Sequence, residues 1–329
     1  MTNRLHLNFH GLRMRVEGGD ADAVNEIARD FAYFQDDRFK SSPDAVLTLH
    51  RRPAPEALRV SNRSFRWKGC RFTHRAGARR VSYEDGAAIR YDFRSETGAV
   101  YAESFDLLRE LAYLTIHSRV GQLLEQRGLY RAHALGFVFK GEAGLLLLPE
   151  GGGKTTLAFE LLRRVPELTL LGDDIPLLSG DGQTLHPFPL RLGFRDEVDG
   201  AVHSSLVRTL TRRRHGRKRL VDQSFYGKRV APPSPLRWIL AGERTGVEMP
   251  LLTPCSRLRM GGPLAKGLVI GIGTPQVLEL LSFGALLNSA VQRASVAWKA
   301  MNHANLYRFR MSDSAADNAD ALGSLFKVL

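Results

Sequence analysis

Two short stretches of this chain carry residue types that could do phosphate chemistry. The first runs Leu145-Leu-Leu-Leu-Pro-Glu-Gly-Gly-Gly-Lys-Thr-Thr-Leu157, and the second is Leu171-Gly-Asp-Asp-Ile175. Gly151, Gly152 and Gly153 would let backbone N–H groups converge on phosphate oxygens, and a helix opening just after them would add its positive N-terminal end. In such a loop Lys154 reaches the β- and γ-phosphates and the Thr155 hydroxyl ligates Mg²⁺. Glu150 and Thr156 flank these positions and complete the candidate nucleotide-binding set. Asp173 and Asp174 supply two carboxylates, of which one can hold the metal and the other can take a proton from an attacking hydroxyl. The plain alternatives are a glycine-rich turn that happens to precede Lys-Thr and a surface Asp-Asp turn.

For this chemistry to work, the two stretches must be brought together by the elements around them. Leu145–Leu148 reads as a buried strand, Thr155–Arg164 as a helix that Val165-Pro166 ends, and Leu168–Leu171 as a second buried strand. Strand, loop, helix and strand make a βαβ unit, whose crossover carries the end of the second strand toward the loop. Leu129–Phe139, which contains His133, reads as one more strand ahead of it. The predicted fold class is therefore α/β: a phosphate-loop domain over 129–329, preceded by a small α+β domain over 1–103.

Three features taken in order resemble the HPr kinase/phosphorylase family, a phosphate-loop class related to the ATP-dependent phosphoenolpyruvate carboxykinases. They are Ala132-His133-Ala134, Glu150-Gly-Gly-Gly-Lys-Thr155 and Leu171-Gly-Asp-Asp-Ile175, within about residues 129–180. The resemblance implies a kinase that uses ATP and Mg²⁺ and acts on a serine or threonine hydroxyl of a protein or peptide. A small-molecule acceptor and a non-catalytic ATP-binding accessory protein are the alternatives. Carried over residue by residue, the proton acceptor falls on Asp173, metal support on Asp174 with Thr155, and the phosphate-proximal histidine on His133. Leu148 departs from the phosphate-loop pattern, because it stands where the first glycine is expected.

The remaining chain is read from periodicity. Residues 4–17 alternate as a hairpin around His10-Gly11, Asp20–Tyr33 has helical spacing, and Phe65–Tyr101 reads as an antiparallel meander. Ser104 and Gly128 bracket a long helix, expected to connect the two domains and to pack on the second. Gly267–Ile272 is expected to be a strand, and a helix is expected from Thr274-Pro275 to about Lys299. Arg191 and Arg195 follow a rigid Pro187-Phe-Pro189 turn and are candidates for stabilising transferred charge. The basic run Arg212–Arg219 reads as a solvated loop or a substrate clamp.

A formal net charge of +13 favours acidic partners, which include a nucleotide. Nucleic acid is a disfavoured partner, since no zinc-finger spacing or RNA-recognition aromatic pattern occurs. Cys70 and Cys255 lack metal-ligand spacing and suggest no disulfide framework. With no signal segment or membrane-length apolar run, the expected location is the cytoplasm with no membrane partner, and an oligomer is compatible with the sequence.

Overall fold

The computed structural model describes residues 3–38, 42–61, 64, 66–67, 69–149, 151–194, 202–212, 216–270 and 283–328. The chain is mixed α/β and divides into two compact units. One takes Met1–Leu124 and, among described residues, 202–223. The other takes Glu125–Phe194 and, among described residues, 224–270 and 283–328.

In the first unit β1 (Asn3–Phe9) and β2 (Leu12–Gly18) form the expected hairpin, with Phe9 opposite Leu12. Its two-residue turn has His10 and Gly11 both at positive φ, the geometry that matches strand twist. Leu5, Leu7, Phe9, Leu12, Met14 and Val16 are all buried, so the period-two pattern is the core face. Helix α1 (Ala21–Asp30) is capped by Asp20, whose carboxylate accepts from the Ala23 N–H at 3.1 Å. The sheet continues through β3 (Ala45–His50), β4 (Arg66–Trp67), β5 (Cys70–Arg75), β6 (Ala78–Tyr83), β7 (Ala88–Asp92) and β8 (Thr97–Tyr101). Its order is β1-β2-β3-β8-β7-β6-β5-β4, with β3 parallel to both β2 and β8.

Helix α2 (Phe105–Gln126) is buried on most sides, polar residues included. The sequence suggested a connector packed on the second domain, but its residues through Leu124 belong to the first unit. Arg109 pairs with Glu26 at 2.5 Å, Arg119 with Glu96, and Tyr113 stacks on Phe31. These polar contacts are invisible to an argument from the leucine stripe alone.

The second unit opens with β9 (Leu129–Arg131) and β10 (Leu135–Phe139), which are two strands where one was expected. They belong to different parts of the sheet: β10 pairs with β11 (Glu142–Leu147), and β9 turns away to another neighbour. His133 sits in the break between them. After β11 come helix α3 (Lys154–Arg164) and β12 (Thr169–Gly172). Strand β10 lies between β11 and β12 and runs antiparallel to both, so the βαβ crossover spans one intervening strand. Gly136 of β10 faces Leu145 of β11 and Gly172 of β12, which brings the C-terminal ends of both strands to the same edge.

Then follow β13 (Leu177–Ser179), which is the partner of β9, β14 (Thr184–His186) and β15 (Leu192–Phe194). The chain next contributes β16 (Val207–Arg212) and β17 (Gly216–Val221) to the first unit as a hairpin. The basic run is therefore strand on both sides, with 213–215 outside the described residues. The described part of the run is paired strand and not loop, with Gly216 and Arg217 exposed, while beside it Leu210, Leu220 and Val221 are buried and Arg208 turns inward among carboxylates.

Back in the second unit, β18 (Ser234–Arg244) runs parallel to β11. It is followed by β19 (Leu251–Pro254), helix α4 (Arg257–Leu264), helix α5 (Phe283–His303), β20 (Asn305–Met311) and helix α6 (Ala315–Val328). The strand expected over Gly267–Ile272 is overturned for 267–270, since Ala265–Ile270 is a π-helical turn continuing α4, and 271–272 lie outside the described residues. A short apolar run fits either state, and Pro263, which lacks an N–H, sits where the helix widens. The expected helix start at Thr274 lies outside the described residues, while the helix itself reaches His303. Leu145, Leu147 and Ile239 of the sheet share a core with Met260, Leu264, Leu268, Val296 and Ala300. Among the described residues no helix is long and apolar enough to cross a membrane.

Candidate functional site

The loop between β11 and α3 is shaped by its glycines. Gly151 and Gly153 hold φ of 73° and 89°, in the left-handed region that residues with a Cβ avoid. Gly152 is tucked inward and donates to the Pro149 carbonyl at 3.0 Å. Gly153 is the N-cap of α3 and offers no side chain to its first N–H groups, so those donors stay available to an anion. Leu148, the departure from the glycine pattern, is a core residue 5% exposed whose side chain lies against Gly242 of β18. Its carbonyl does polar work, accepting from Lys154 Nζ at 3.1 Å.

Lys154 is 7% exposed, and burial of an ammonium requires acceptors around it. It donates to the Leu148 carbonyl, to the Pro149 carbonyl at 3.5 Å and to His133 Nε2 at 3.1 Å. Because an ammonium can only donate, Nε2 of His133 must be the accepting nitrogen, which puts the ring proton on Nδ1. Nδ1 lies 3.0 Å from Asp174 Oδ1, a carboxylate that accepts that proton's hydrogen bond. Asp174, His133 and Lys154 thus form one directed chain. The backbone fixes it too: Ala134 N–H donates to the Asp174 carbonyl, Ala132 N–H to Pro176 and His133 N–H to Gly267.

Asp173 faces elsewhere. It is 5% exposed and accepts from Thr155 Oγ1 at 3.0 Å and from the Tyr226 hydroxyl at 3.4 Å. The two adjacent carboxylates therefore serve different partners, Asp173 the hydroxyl that opens α3 and Asp174 the histidine. The Asp174 side chain is 48% exposed, so it is the member of the pair open to an incoming molecule. Sequence reasoning assigned the metal to Asp174 with Thr155, yet it is Asp173 that shares a hydrogen bond with Thr155.

Of the other expected residues, Thr156 is exposed on the first turn of α3, Glu150 and Arg195 lie outside the described residues, and Arg191 is half-buried between β14 and β15. The Pro187–Leu190 turn does border the site, since Phe188 N–H donates to the Leu171 carbonyl at 2.7 Å. Two residues were missed. Tyr226 reaches Asp173 from far along the chain and carries no local signal. Arg244 ends the strand beside β11, and the rule that ligands gather at the carboxyl ends of parallel strands could have pointed to it.

The donor set suits a hard cation held partly by phosphate oxygens: a hydroxyl and a carboxylate already 3.0 Å apart. Among the described residues no group of three or more His, Cys, Asp or Glu side chains forms a self-sufficient metal cage. Compared with known proteins, the chain matches no family model and no characterised protein.

Proposed function

We propose that this protein is an ATP- and Mg²⁺-dependent kinase that transfers the γ-phosphoryl group to a hydroxyl. The observation that supports this reading is the division of Asp173 and Asp174 between Thr155, which follows the glycine loop, and His133, the partner of Lys154. The loop amides, the N-terminus of α3 and Lys154 would bind the triphosphate. Thr155 and Asp173 would hold Mg²⁺, which when bound neutralises charge on the phosphates. Asp174, partly open to solvent, would accept the proton of the attacking hydroxyl, and His133 would orient it and couple it to Lys154. The Lys154 ammonium donates to two carbonyls and to His133, contacts it would exchange for phosphate oxygens on binding a nucleotide. The acceptor class that the sequence resemblance favours is a serine or threonine in a protein or peptide.

The test is transfer of label from γ-labelled ATP to candidate acceptors, run with Asp174→Asn and Asp173→Asn beside the unaltered protein. Asp174→Asn is expected to bind ATP normally and to lose about 10²–10⁴-fold in transfer, the usual worth of a positioned base. Asp173→Asn is expected to weaken Mg²⁺-dependent nucleotide binding. Normal transfer by Asp174→Asn would refute its role as proton acceptor.

A further inference from the structure

Strand β18 ends at Arg244, and its register with β11 sets Ala241 opposite Leu147. Arg244 thus leaves the sheet at the same edge as the glycine loop. Its guanidinium lies on that loop: a Cβ built on Gly153 would come within 2.9 Å of Arg244 Nη2. The neighbouring acid is directed away, because Glu243 pairs with Arg308 at 2.5 Å and with Arg310 at 4.0 Å on β20. Among the described residues no carboxylate pairs with Arg244, although arginines elsewhere in this chain repeatedly find one. A second cation held against the N-terminus of α3, close to Lys154, is an arrangement that repels itself unless an anion joins it.

Resting on the nucleotide reading above, we propose that Arg244 is a phosphate-contacting residue of this site, donating to the non-bridging oxygens of the terminal phosphate. A guanidinium presents paired N–H donors that match phosphate oxygens, which a lysine at the same place would not reproduce. The missing side chain of Gly153 is then what allows the guanidinium to approach. Arg244 is exposed, so its substitution is expected to leave the fold intact.

The experiment measures ATP and ADP binding to the full chain by calorimetry with Mg²⁺, for the unaltered protein, Arg244→Gln, Arg244→Lys and Lys154→Ala. Circular dichroism melting accompanies each variant. Arg244→Gln is expected to lose about tenfold or more in ATP affinity, the scale of a charge-assisted hydrogen bond. ADP affinity should change much less, and Arg244→Lys should recover only part of the loss. Equal loss for ATP and ADP would overturn the assignment to the terminal phosphate. If the unaltered protein binds ATP and Lys154→Ala abolishes binding while Arg244→Gln binds as before, the inference fails and the nucleotide site stands. If the unaltered protein binds no nucleotide, both readings fall together.

Discussion

Replacing Arg208 with methionine would remove the centre of a buried ion cluster in the first unit. Its guanidinium meets Asp222 through Nε at 2.5 Å, Glu26 through Nη1 at 2.5 Å and Asp30 through Nη2 at 2.8 Å. The Arg208 side chain is 7% exposed and that of Asp30 is 2% exposed, so water cannot replace the lost contacts. Burial opposes the charge on Arg208, but the carboxylates, Asp30 foremost, outweigh it and raise its pKa above the ordinary arginine value. The cation therefore persists at any workable pH. Methionine would fill much of the volume while leaving Asp222 to Arg29 and Glu26 to Arg109 and taking the cation away from Asp30. Breaking a buried pair by removing one partner costs about 3–5 kcal/mol. For a unit of this size each kcal/mol is worth about 2–4 °C, giving a fall of about 6–20 °C in the first unit's melting midpoint. Calorimetric melting of the full chain reads this directly, with Arg217→Met at an exposed position of β17 as the control that should stay within about 0.5 kcal/mol. A drop of less than about 2 °C for Arg208→Met, the least that a single kcal/mol would give, would refute the claim that the cluster holds the hairpin.

Other outcomes follow from the same geometry. Gly153→Ala places a Cβ at φ 89° and against Arg244, a strain of about 1–2 kcal/mol, so ATP affinity should fall about tenfold in a titration and the melting midpoint of the second unit by about 2–8 °C. Tyr226→Phe removes one donor from Asp173, and steady-state kinetics should show about a fivefold change confined to Mg²⁺-dependent steps. His50, stacked on Tyr101 at 4.5 Å, has its pKa lowered by burial and then by Arg52. The unfolded chain therefore takes up that proton first, and stability should fall as pH drops through the ordinary histidine range. His50→Gln should flatten that slope in denaturant titrations at stepped pH.

Local pattern made much of the fold legible. The β1–β2 hairpin, the meander and the order of strand, glycine loop, helix and Asp-Asp could be read from periodicity and turn residues, because each is set within a short window. Contacts between distant segments could not. Leu129–Phe139 looked continuous, but its two halves join different neighbours and leave His133 in the break. Gly267–Ile272 had a strand's composition, yet Ala265–Ile270 continues a helix. The split of Asp173 from Asp174 was foreseeable from their adjacency, but which partner each takes depended on Tyr226 and on the exact placement of Thr155. Arg208, just ahead of the basic run, shows a similar limit. Charge in a sequence reads as solvent exposure, and the acids that draw Arg208 inward lie on α1 and just past β17.

The pairing of Arg208 with Asp30 also sets a clock for biosynthesis. The two residues stand 178 positions apart. At about 5–20 residues per second, α1 leaves the ribosome roughly 10–40 s before the cation that its carboxylates need. Through that interval the nascent first unit has its eight-stranded sheet and α2 but not the β16–β17 hairpin, and Asp30 gains its Arg208 contact only when β16 arrives. The N-terminal unit is thus completed from within the sequence of the second, and β10, β11 and α3 emerge before it closes. Pulsed proteolysis of ribosome-bound chains should show protection of α1 appearing only after Asp222 has cleared the exit tunnel.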